Sequence, residues 1–578
     1  MTIAYQGIGI RSTRAIALGP ALIDTRALGT IGHAEIEIEQ VPAELARLEE
    51  AIASARAALE AVRGQIPTQT PQNIAEFIDT HLLMLEDAAL VEEVRRIVSD
   101  QRCSAEWALQ QQRDTLVRIF DEMDDPYLRT RRDDVEHVVH QIQTFLAGDS
   151  PEPRLPEHDL DGHVVVARDL TPADTILLHH RGVTGFVTEF GGPMSHTAIL
   201  ARSLGVPAVV GVRHITRYIE PGEFLVIDGD NGTVLCDTDD LTIAHFRTRL
   251  RAAETRQRRL RRLIGRATRT RDGVAIGLQA NLELPEDVAA ARANGASGVG
   301  LYRTEFLYMN RADLPDEEEQ YASYAAMITG LDGIPTTIRT LDLGADKDSP
   351  AQPIEPSGNP ALGLRAIRLC LKEPALFRPQ LRAILRASAL GPVRLMLPMI
   401  SNVREVIAVR QLIEQLKREL SDQGLAYDPA LPLGAMIEVP AAALAAGAIA
   451  RHCDFLSIGT NDLIQYTLAI DRLDDAVNDL YDPTHPAILR LLRMTIAAGL
   501  SHGIPVGMCG EMAGDARFTR LLLGLGLREF SMQPGALLDV KEVVLAADTT
   551  ILQQRTTALF AHLDEADPAD LLAALNAD

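Results

Sequence analysis

Residues 433–462 read LGAMIEVPAAALAAGAIARHCDFLSIGTND, and their pattern indicates the architecture of the C-terminal half of the chain. Two apolar runs, 433–437 and 455–458, have the length of buried strands, and an alanine-rich helical segment separates them. A helix of that length permits a right-handed crossover, so the two strands can lie parallel in one sheet. Polar residues follow directly: Glu438 after the first run, and Asn461 and Asp462 after the second.

The same unit repeats through the C-terminal half of the chain. Strand-like runs alternate with helical stretches, and the runs are 274–281, 298–302, 336–341, 393–398, 433–437, 455–458, 504–508 and 529–532. Eight such units in roughly 300 residues predict a C-terminal (β/α)8 TIM barrel. Functional residues are expected at the carboxyl ends of barrel strands, and polar residues cluster there: Arg303, Arg339, Asp342, Glu438, Asn461, Asp462 and Cys509.

The N-terminal half predicts a different architecture. Apolar residues recur every three or four positions from about residue 42 to 148, with turn residues at 64–67 and 124–126, which indicates a bundle of helical hairpins. From residue 162 to 237, short β-rich runs alternate with helical segments. These runs predict a small α/β domain, which the strand-like residues 3–22 could complete. The helical bundle is then an insertion into this domain.

The composition argues against several classes of partner. A chain of 578 residues is too long for one core, so about two to four domains are expected. The net charge of −24 argues against nucleic acid, and no stretch approaches the roughly 20 apolar residues of a membrane helix. Residues 1–19 lack the basic and then apolar pattern of an export signal, so we expect a cytoplasmic protein.

Residues 241–271 form a basic segment with eleven arginines and few apolar residues. One interpretation is a nucleic-acid surface, and the other is an exposed connector helix between two domains. The strongly negative charge of the whole chain favours the connector helix.

The first candidate site is the run GGPMSHT at residues 191–197. The two glycines let the backbone turn, and a helix that begins near Ser195 presents unpaired N–H groups and the positive end of its dipole. Such a terminus stabilises added negative charge, so His196 could accept a phosphoryl group, with Arg202 as a further donor. The alternative is that His196 only caps the helix or fills space after the turn.

The second candidate site is the barrel rim. Glu438 and Asp462 end two neighbouring strands, and two carboxylates with room for water and substrate suit Mg²⁺. Arg303, Arg339 and Arg365 could bind a small substrate that carries a phosphate and a carboxylate, because a guanidinium binds such groups in bidentate fashion. One acidic residue at a strand end is often only a cap, but two beside arginines favour a metal–phosphate site.

Cys509 is the third candidate. The chain has five cysteines, and none forms a Cys-x-x-Cys pair, so four are interpreted as small buried residues. Cys509 lies in GMCGE at the end of the seventh strand-like run, where a thiol could act as an acid or a base. A buried structural cysteine remains the alternative.

Taken together, these motifs resemble the phosphoenolpyruvate-protein phosphotransferase family, called Enzyme I. The similarity covers nearly the whole chain in order, including DPYL at 125–128 and RDDV at 132–135 in the helical insert. The other matching runs are GGPMSHT at 191–197, GVGLYRTEFLYM at 298–309, RTLDLGADK at 339–347, GLRAIR at 363–368, SIGTNDLIQY at 457–466 and GMCGEMAG at 507–514.

The resemblance implies a multidomain α/β protein. Residues 1–25 and 149–238 would form a phosphohistidine swivelling domain, 26–148 a helical insert that docks the carrier protein HPr, and 239–271 a linker helix. Residues 272–578 would form the phosphoenolpyruvate-binding barrel, through which the protein dimerises. The implied reaction moves the phosphoryl group of phosphoenolpyruvate to a histidine and then to HPr, releasing pyruvate, as the first step of sugar uptake by the phosphotransferase system.

The resemblance also implies roles for individual residues. His196 would be phosphorylated, and Cys509 would protonate the enolate. Glu438 and Asp462 would hold Mg²⁺. The residues that would bind phosphoenolpyruvate, with Asn461 at its phosphate, are Arg303, Arg339, Arg365, Asn461, Asp462 and Arg472.

Two positions depart from the family pattern, and both leave the reacting groups in place. Met194 stands where the family usually has a hydroxyl residue, and Ala345 replaces a glycine.

Related dikinases and synthases need a large nucleotide-binding domain before the histidine domain. Only about 160 helix-rich residues precede Gly162, and they contain no phosphate-binding Gly-x-x-x-x-Gly-Lys loop, so the sequence argues against a dikinase or a synthase.

Two further alternatives concern relatives with other roles. A catalytically silent sensor of phosphoenolpyruvate would be expected to have lost His196, Cys509 or a metal ligand, and all are present. Nitrogen-branch relatives carry an additional N-terminal sensory domain, and fused relatives carry their own HPr. The sequence therefore favours a stand-alone enzyme of the sugar branch.

Overall fold

The computed structural model describes most of the chain in two units, Met1–Thr255 and Arg256–Asp578. Each unit combines a β-sheet with helices, so the predicted multidomain α/β class is confirmed. The described residues are 2–10, 15–24, 34–65, 72–121, 126–147, 160–192, 195–285, 287–308, 313–343, 361–471, 477 and 480–577.

An eight-stranded sheet lies at the centre of the first unit. Its strands are β1 (Ile3–Gln6), β2 (Ile8–Ile10), β3 (Ile16–Ile23), β4 (Val164–Ala167), β5 (Gly185–Thr188), β6 (Ala208–Val210), β7 (Phe224–Asp228) and β8 (Thr233–Cys236). They lie in the order β1-β8-β7-β3-β4-β5-β6-β2. Strands β3 to β6 are parallel, whereas β1, β2, β7 and β8 pair in antiparallel fashion.

A helical bundle is inserted in the chain between β3 and β4. Leu48, Leu109 and Val138 lie fully buried in its core. Its helices are α1 (Val41–Gln65), α2 (Gln72–Met84), α3 (Ala88–Gln101), α4 (Ala105–Asp121) and α5 (Pro126–Leu146).

Helices α6 (Pro172–His180) and α7 (His196–Leu204) join the bundle to the sheet. Ile176 of α6 and Leu200 of α7 belong to the core of the bundle. Other residues of the same two helices pack on the sheet, where successive strand residues point to opposite faces. The position of α7, which begins at His196, is therefore determined by packing on both sides.

Helix α8 (Asp240–Arg261) contains most of the arginine-rich segment and is exposed along most of its length. Its final turns are bound by ion pairs within the second unit. Arg256 lies 2.5 Å from Asp539 and 3.5 Å from Glu542, and Arg259 lies 2.6 Å from Glu542.

The second unit is a closed barrel of eight strands, in which every neighbouring pair is parallel. The predicted TIM barrel is therefore confirmed. Its strands are β9 (Gly277–Leu282), β10 (Val299–Tyr302), β11 (Thr336–Arg339), β12 (Val393–Leu397), β13 (Leu433–Ile437), β14 (Phe455–Ile458), β15 (Val506–Met508) and β16 (Glu529–Met532).

Helices surround the barrel, and one apolar core fills the space between them and the strands. Within the described ranges, none of the helices of either unit is both long enough and apolar enough to cross a membrane. The helices of the second unit are α9 (Asp287–Ala293), α10 (Glu317–Leu331), α11 (Ala366–Lys372), α12 (Pro374–Ala387), α13 (Val403–Asp422), α14 (Pro440–Leu444), α15 (Ala446–Ala450), α16 (Thr460–Leu468), α17 (Pro486–His502), α18 (Glu511–Gly514), α19 (Ala516–Leu525), α20 (Leu537–Ala546), α21 (Thr549–Ala561) and α22 (Pro568–Asn576).

Candidate active site

Most of the candidate residues of the second unit lie at one end of the barrel. Arg303 follows β10, and Arg339 is the last residue of β11. Glu438 follows β13, Asp462 lies in the first turn of α16, and Cys509 follows β15. Because all the strands are parallel, their carboxyl ends form a single rim, and these side chains belong to it.

Buried ion pairs hold the guanidinium groups of Arg339 and Arg365. Nη2 of Arg339 lies 3.0 Å from Oε1 of Glu305, and its Nη1 lies 3.0 Å from Oδ2 of Asp342. Nη2 of Arg365 lies 3.0 Å from Oδ1 of Asp342. Burial disfavours both positive charges, but the neighbouring carboxylates outweigh it and raise the pKa of both arginines. Both arginines therefore stay charged, and Asp342 bridges them.

Each of these two arginines also has one hydrogen-bond donor that the ion pairs do not use. The Nε–H groups of Arg339 and Arg365 are buried and have no hydrogen-bond partner among the residues that the structure describes. Buried donors in folded proteins are almost always paired. Two such guanidinium donors therefore indicate that an acceptor, such as an anionic ligand, binds beside them. Arg303 is more exposed, and its Nη1 lies 2.6 Å from Oε1 of Glu283.

Three carboxylates converge at the same rim. One oxygen from each of Asp342, Glu438 and Asp462 lies within 4.8 Å of the other two. Burial, together with the charges of Asp342 and Asp462, raises the pKa of Glu438 to about 8. Carboxylates this close repel one another unless a proton or a cation lies between them. The residues present therefore fit a divalent cation that prefers oxygen ligands, as Mg²⁺ does.

The backbone next to this cluster is strained in a way that orients Glu438. Met399 has a φ of +54°, which non-glycine residues rarely adopt. In this conformation its N–H donates to Oε1 of Glu438 at 2.5 Å. One carboxylate oxygen is thus occupied by the backbone, and strain at such a position is typical of functional sites.

Cys509 presents a buried thiol at the rim. The hydroxyl of Ser457 donates to its Sγ at 3.4 Å, and the thiol donates to the carbonyl of Ile458 at 3.8 Å. Burial raises the pKa of Cys509 to about 11. The thiol therefore keeps its proton near neutral pH, which is the state that a general acid needs.

Asn461 is held by a reciprocal pair of hydrogen bonds. Its Nδ2 donates to Oε1 of Glu511 at 3.1 Å, and the N–H of Glu511 donates to its Oδ1 at 2.9 Å. The first turns of α16 and α18, which follow β14 and β15, are thereby joined next to Asp462 and Cys509.

In the first unit, His196 is the first residue of α7. Ser195 is the N-cap, and its hydroxyl accepts the N–H of Ala198 at 3.4 Å. The hydroxyl of Thr197 donates to the carbonyl of Leu170 at 3.1 Å, which anchors the first turn. A position at a helix N-terminus is favourable for an added negative charge. The side chain of His196 lies outside the described part of the chain.

Comparison with known proteins assigns the family. Three family models match: PEP-utilising enzyme, N-terminal at residues 8–131; PEP-utilising enzyme, mobile domain at 159–232; and PEP-utilising enzyme, PEP-binding domain at 257–549. A phosphoenolpyruvate-protein phosphotransferase from Cupriavidus necator is 46% identical, over 100% of this chain and 99% of that protein. The chain belongs to the phosphoenolpyruvate-protein phosphotransferase family. Relatives of the same name from Listeria innocua and Geobacillus stearothermophilus are each 40% identical, over 93% and 92% of this chain and 94% and 92% of those proteins.

Membership in the phosphoenolpyruvate-protein phosphotransferase family confirms the resemblance found in the sequence. The structure brings Arg339, Arg365, Glu438 and Asp462 into one charged network at the rim. Three residues of the family motifs and their surroundings, Met194, Ala345 and Arg472, lie outside the described residues.

The sequence does not reveal the roles of several residues of this network. It predicts Asp342 at the rim but does not mark it as a metal ligand, although it lies three residues after Arg339 in the motif RTLD. Glu305 lies in the short turn after β10, and Ser457 lies inside β14, so neither has the strand-end position that marked the other candidates. Glu511 binds Asn461, and its place in the motif GMCGE, just after a strand end, is the feature of the sequence that could have identified it.

Gly510 is required by the packing of this site. A Cβ at position 510 would overlap the hydroxyl of Thr460, at the start of α16. We expect Gly510→Ala to lower the free energy of unfolding by about 1–3 kcal/mol, because Thr460 is fixed by the helix behind it. Urea unfolding measures this change. Gly535→Ala is the control, since a Cβ there meets no atom within 4 Å, and equal stability of the two variants would contradict the prediction.

Proposed function

We propose that this chain takes the phosphoryl group of phosphoenolpyruvate onto His196 and passes it to HPr, releasing pyruvate, as the first step of the sugar phosphotransferase system. The observation that carries the proposal is the barrel rim. Two buried arginines lie there beside a cluster of three carboxylates. The Nε–H groups of these arginines have no hydrogen-bond partner in the described part of the chain. A substrate with both a phosphate and a carboxylate needs this combination of guanidinium groups and a cation site.

The arginines bind and orient the substrate in this proposal. Arg339 and Arg365 donate to its anionic groups through the Nε–H groups that remain available. Arg303 exchanges Glu283 for the substrate, and the family motif adds Arg472. Asn461, held by Glu511, contacts the phosphate. Because the donors are held in place before the substrate arrives, little reorganisation is needed as charge moves.

Glu438 and Asp462 are the proposed ligands of Mg²⁺, and Asp342 completes the carboxylate set. When bound, Mg²⁺ offsets the charge of the phosphoryl oxygens. The contact between Met399 and Glu438 leaves the second oxygen of Glu438 available for the cation.

His196 is the proposed nucleophile. A nitrogen of its imidazole forms a bond to phosphorus while the bond from phosphorus to the enolate oxygen breaks. The N-terminus of α7 stabilises the charge on the phosphohistidine. The thiol of Cys509 then gives its proton to the methylene carbon of the enolate, which becomes pyruvate. Burial keeps that proton on the sulfur until the enolate forms.

The acceptor and the assembly are the finer parts of the proposal. The relatives are named as protein phosphotransferases, which supports a protein acceptor. We assign the docking of HPr to the inserted bundle, dimerisation to the barrel, and the cytoplasm as the location, all on the family resemblance.

The test is incubation with phosphoenolpyruvate labelled in its phosphate, with Mg²⁺, for the wild type and for His196→Ala. We expect acid-labile, base-stable label on the wild type alone, and its removal by added HPr. Label that persists on His196→Ala would identify another nucleophile. A wild type that binds phosphoenolpyruvate without becoming labelled would contradict the proposed activity.

A further inference from the structure

Two polar side chains inside the barrel hold the peptide group that follows Cys509. Nδ2 of Asn281, on β9, donates to the backbone carbonyl of Cys509 at 2.9 Å. The hydroxyl of Ser531, on the neighbouring strand β16, donates to Oδ1 of Asn281 at 2.6 Å. We call this pair the Asn281 bracket. Its contact with Cys509 connects strand β9 to the loop after β15, across the barrel closure.

Gly300 makes room for the bracket. A Cβ at position 300 would lie 2.5 Å from Oγ of Ser531, so any larger residue would push that hydroxyl away from Asn281. Gly300 is the second glycine of the run GVGLYR, and its φ is not positive, so space rather than backbone conformation requires it.

The rest of the Cys509 backbone is also fixed. Its N–H donates to the carbonyl of Ile458 at 3.0 Å, and the next residue, Gly510, packs closely on Thr460. Asn281 holds the carbonyl of the same residue. The Asn281 bracket therefore fixes the backbone of Cys509 and, together with the contacts of Sγ with Ser457 and Ile458, sets the direction of its side chain.

We propose that Asn281 is a positioning residue for Cys509 and aims the thiol at the carbon that it protonates. This inference rests on the proposed function.

In the protonation step the S–H bond breaks, the proton bonds to C3 of the enolate, and the electron pair of the C2–C3 double bond forms the new C–H bond. The enolate oxygen becomes the ketone of pyruvate, and the thiolate recovers a proton from water. In the reverse direction the thiolate removes a proton from the methyl group of pyruvate, so pyruvate exchanges its methyl hydrogens with solvent.

The test compares wild type, Asn281→Leu, Ser531→Ala and the double variant Asn281→Leu/Ser531→Ala. Deuterium exchange into the methyl group of pyruvate, with Mg²⁺ in D₂O, is measured by NMR. We expect Asn281→Leu to slow this exchange by about 10²-fold, because small misplacements of a reacting group have effects of that order. Ser531→Ala should cause a smaller decrease, since Asn281 keeps its bond to Cys509. The KM for phosphoenolpyruvate and the affinity for Mn²⁺ should stay within about twofold, since the arginines and carboxylates are untouched.

The double variant separates positioning from folding. Asn281→Leu alone leaves the hydroxyl of Ser531 buried without its acceptor, whereas the double variant removes both polar groups and should recover stability. We expect the double variant to remain slow in exchange. Recovery of exchange in the double variant, wild-type exchange in Asn281→Leu, or a rise in KM equal to the fall in kcat would each overturn the inference.

Two further variants serve as controls in this experiment. Cys509→Ala should abolish exchange, and Ser388→Ala, which removes a buried hydroxyl elsewhere in the second unit, should leave it unchanged. If wild type neither exchanges pyruvate nor takes label from phosphoenolpyruvate, the proposed function itself is wrong. If wild type does both and Asn281→Leu exchanges equally fast, only the role of Asn281 is wrong.

Discussion

Replacing Arg339 with methionine is expected to reduce phosphorylation by phosphoenolpyruvate about 10³-fold and also to destabilise the barrel. The guanidinium of Arg339 contacts Glu305 and Asp342. Its Nε–H has no hydrogen-bond partner among the described residues, so it can donate to a ligand. Methionine has a similar length but no donors. The buried carboxylate of Glu305 then loses its counter-charge, and Asp342 keeps only Arg365. Breaking a buried ion pair by removing one partner typically costs about 3–5 kcal/mol. Single-turnover labelling measures the first effect and urea unfolding the second.

Arg339→Lys distinguishes charge from geometry. The ammonium restores a positive charge between Glu305 and Asp342, so a large part of the stability should return. It cannot contact both carboxylates and also present a planar donor to the substrate, so labelling should stay low. Arg378→Met is the matched control, because that arginine pairs with Glu419 between α12 and α13, outside the barrel rim. Full activity in Arg339→Lys would show that charge alone is sufficient there.

The strand ends could be predicted from the sequence because alternation of strands and helices determines which residues follow each strand. Arg339 and Glu438 were found in this way. The role of Asp342 could not be, because it depends on side-chain distances between the ends of β11, β13 and β14. The alanine-rich segment after β13 was expected to be helical, and the structure divides it into two short helices, α14 and α15.

Residues that act on a backbone group left no signal in the sequence. Asn281 contacts the backbone carbonyl of a cysteine 228 residues away. Every residue has such a carbonyl, so no sequence motif can indicate this contact. Met399 likewise acts through its N–H, which its side chain does not reveal. Only the glycines at 300 and 510 indicate such contacts in the sequence. At both positions a neighbouring backbone or polar group lies too close to leave room for a Cβ.

Glu438→Gln is expected to have opposite effects on stability with and without a divalent cation. In the protein without metal, burial and the charges of Asp342 and Asp462 raise the pKa of Glu438 from 4.5 to about 8. Between these two values the folded protein retains a proton that the unfolded chain has lost, so the stability of the wild type falls as pH rises through this range. Below it both states are protonated, and above it both are ionised. Glutamine does not titrate and has nearly the same shape.

In EDTA, therefore, Glu438→Gln should be more stable than wild type at pH 8.5, and the difference should shrink as pH is lowered toward 4.5. Thermal unfolding at several pH values measures this trend. Glu529→Gln is the control. It removes a carboxylate at the opposite end of the barrel, where Glu529 pairs with Arg394, and it leaves the cluster of three carboxylates unchanged, so it should not reproduce the trend of Glu438→Gln.

Adding Mg²⁺ at pH 8.5 should reverse the order, because a ligand that binds the folded state stabilises it in proportion to its affinity. Wild type gains stability from the bound cation, whereas Glu438→Gln lacks one of the charged oxygens that the cation needs. Mn²⁺ binding followed by electron spin resonance gives the affinity directly, and we expect it to fall at least tenfold in the variant. If the variant binds Mn²⁺ as tightly as wild type, Glu438 is not a metal ligand.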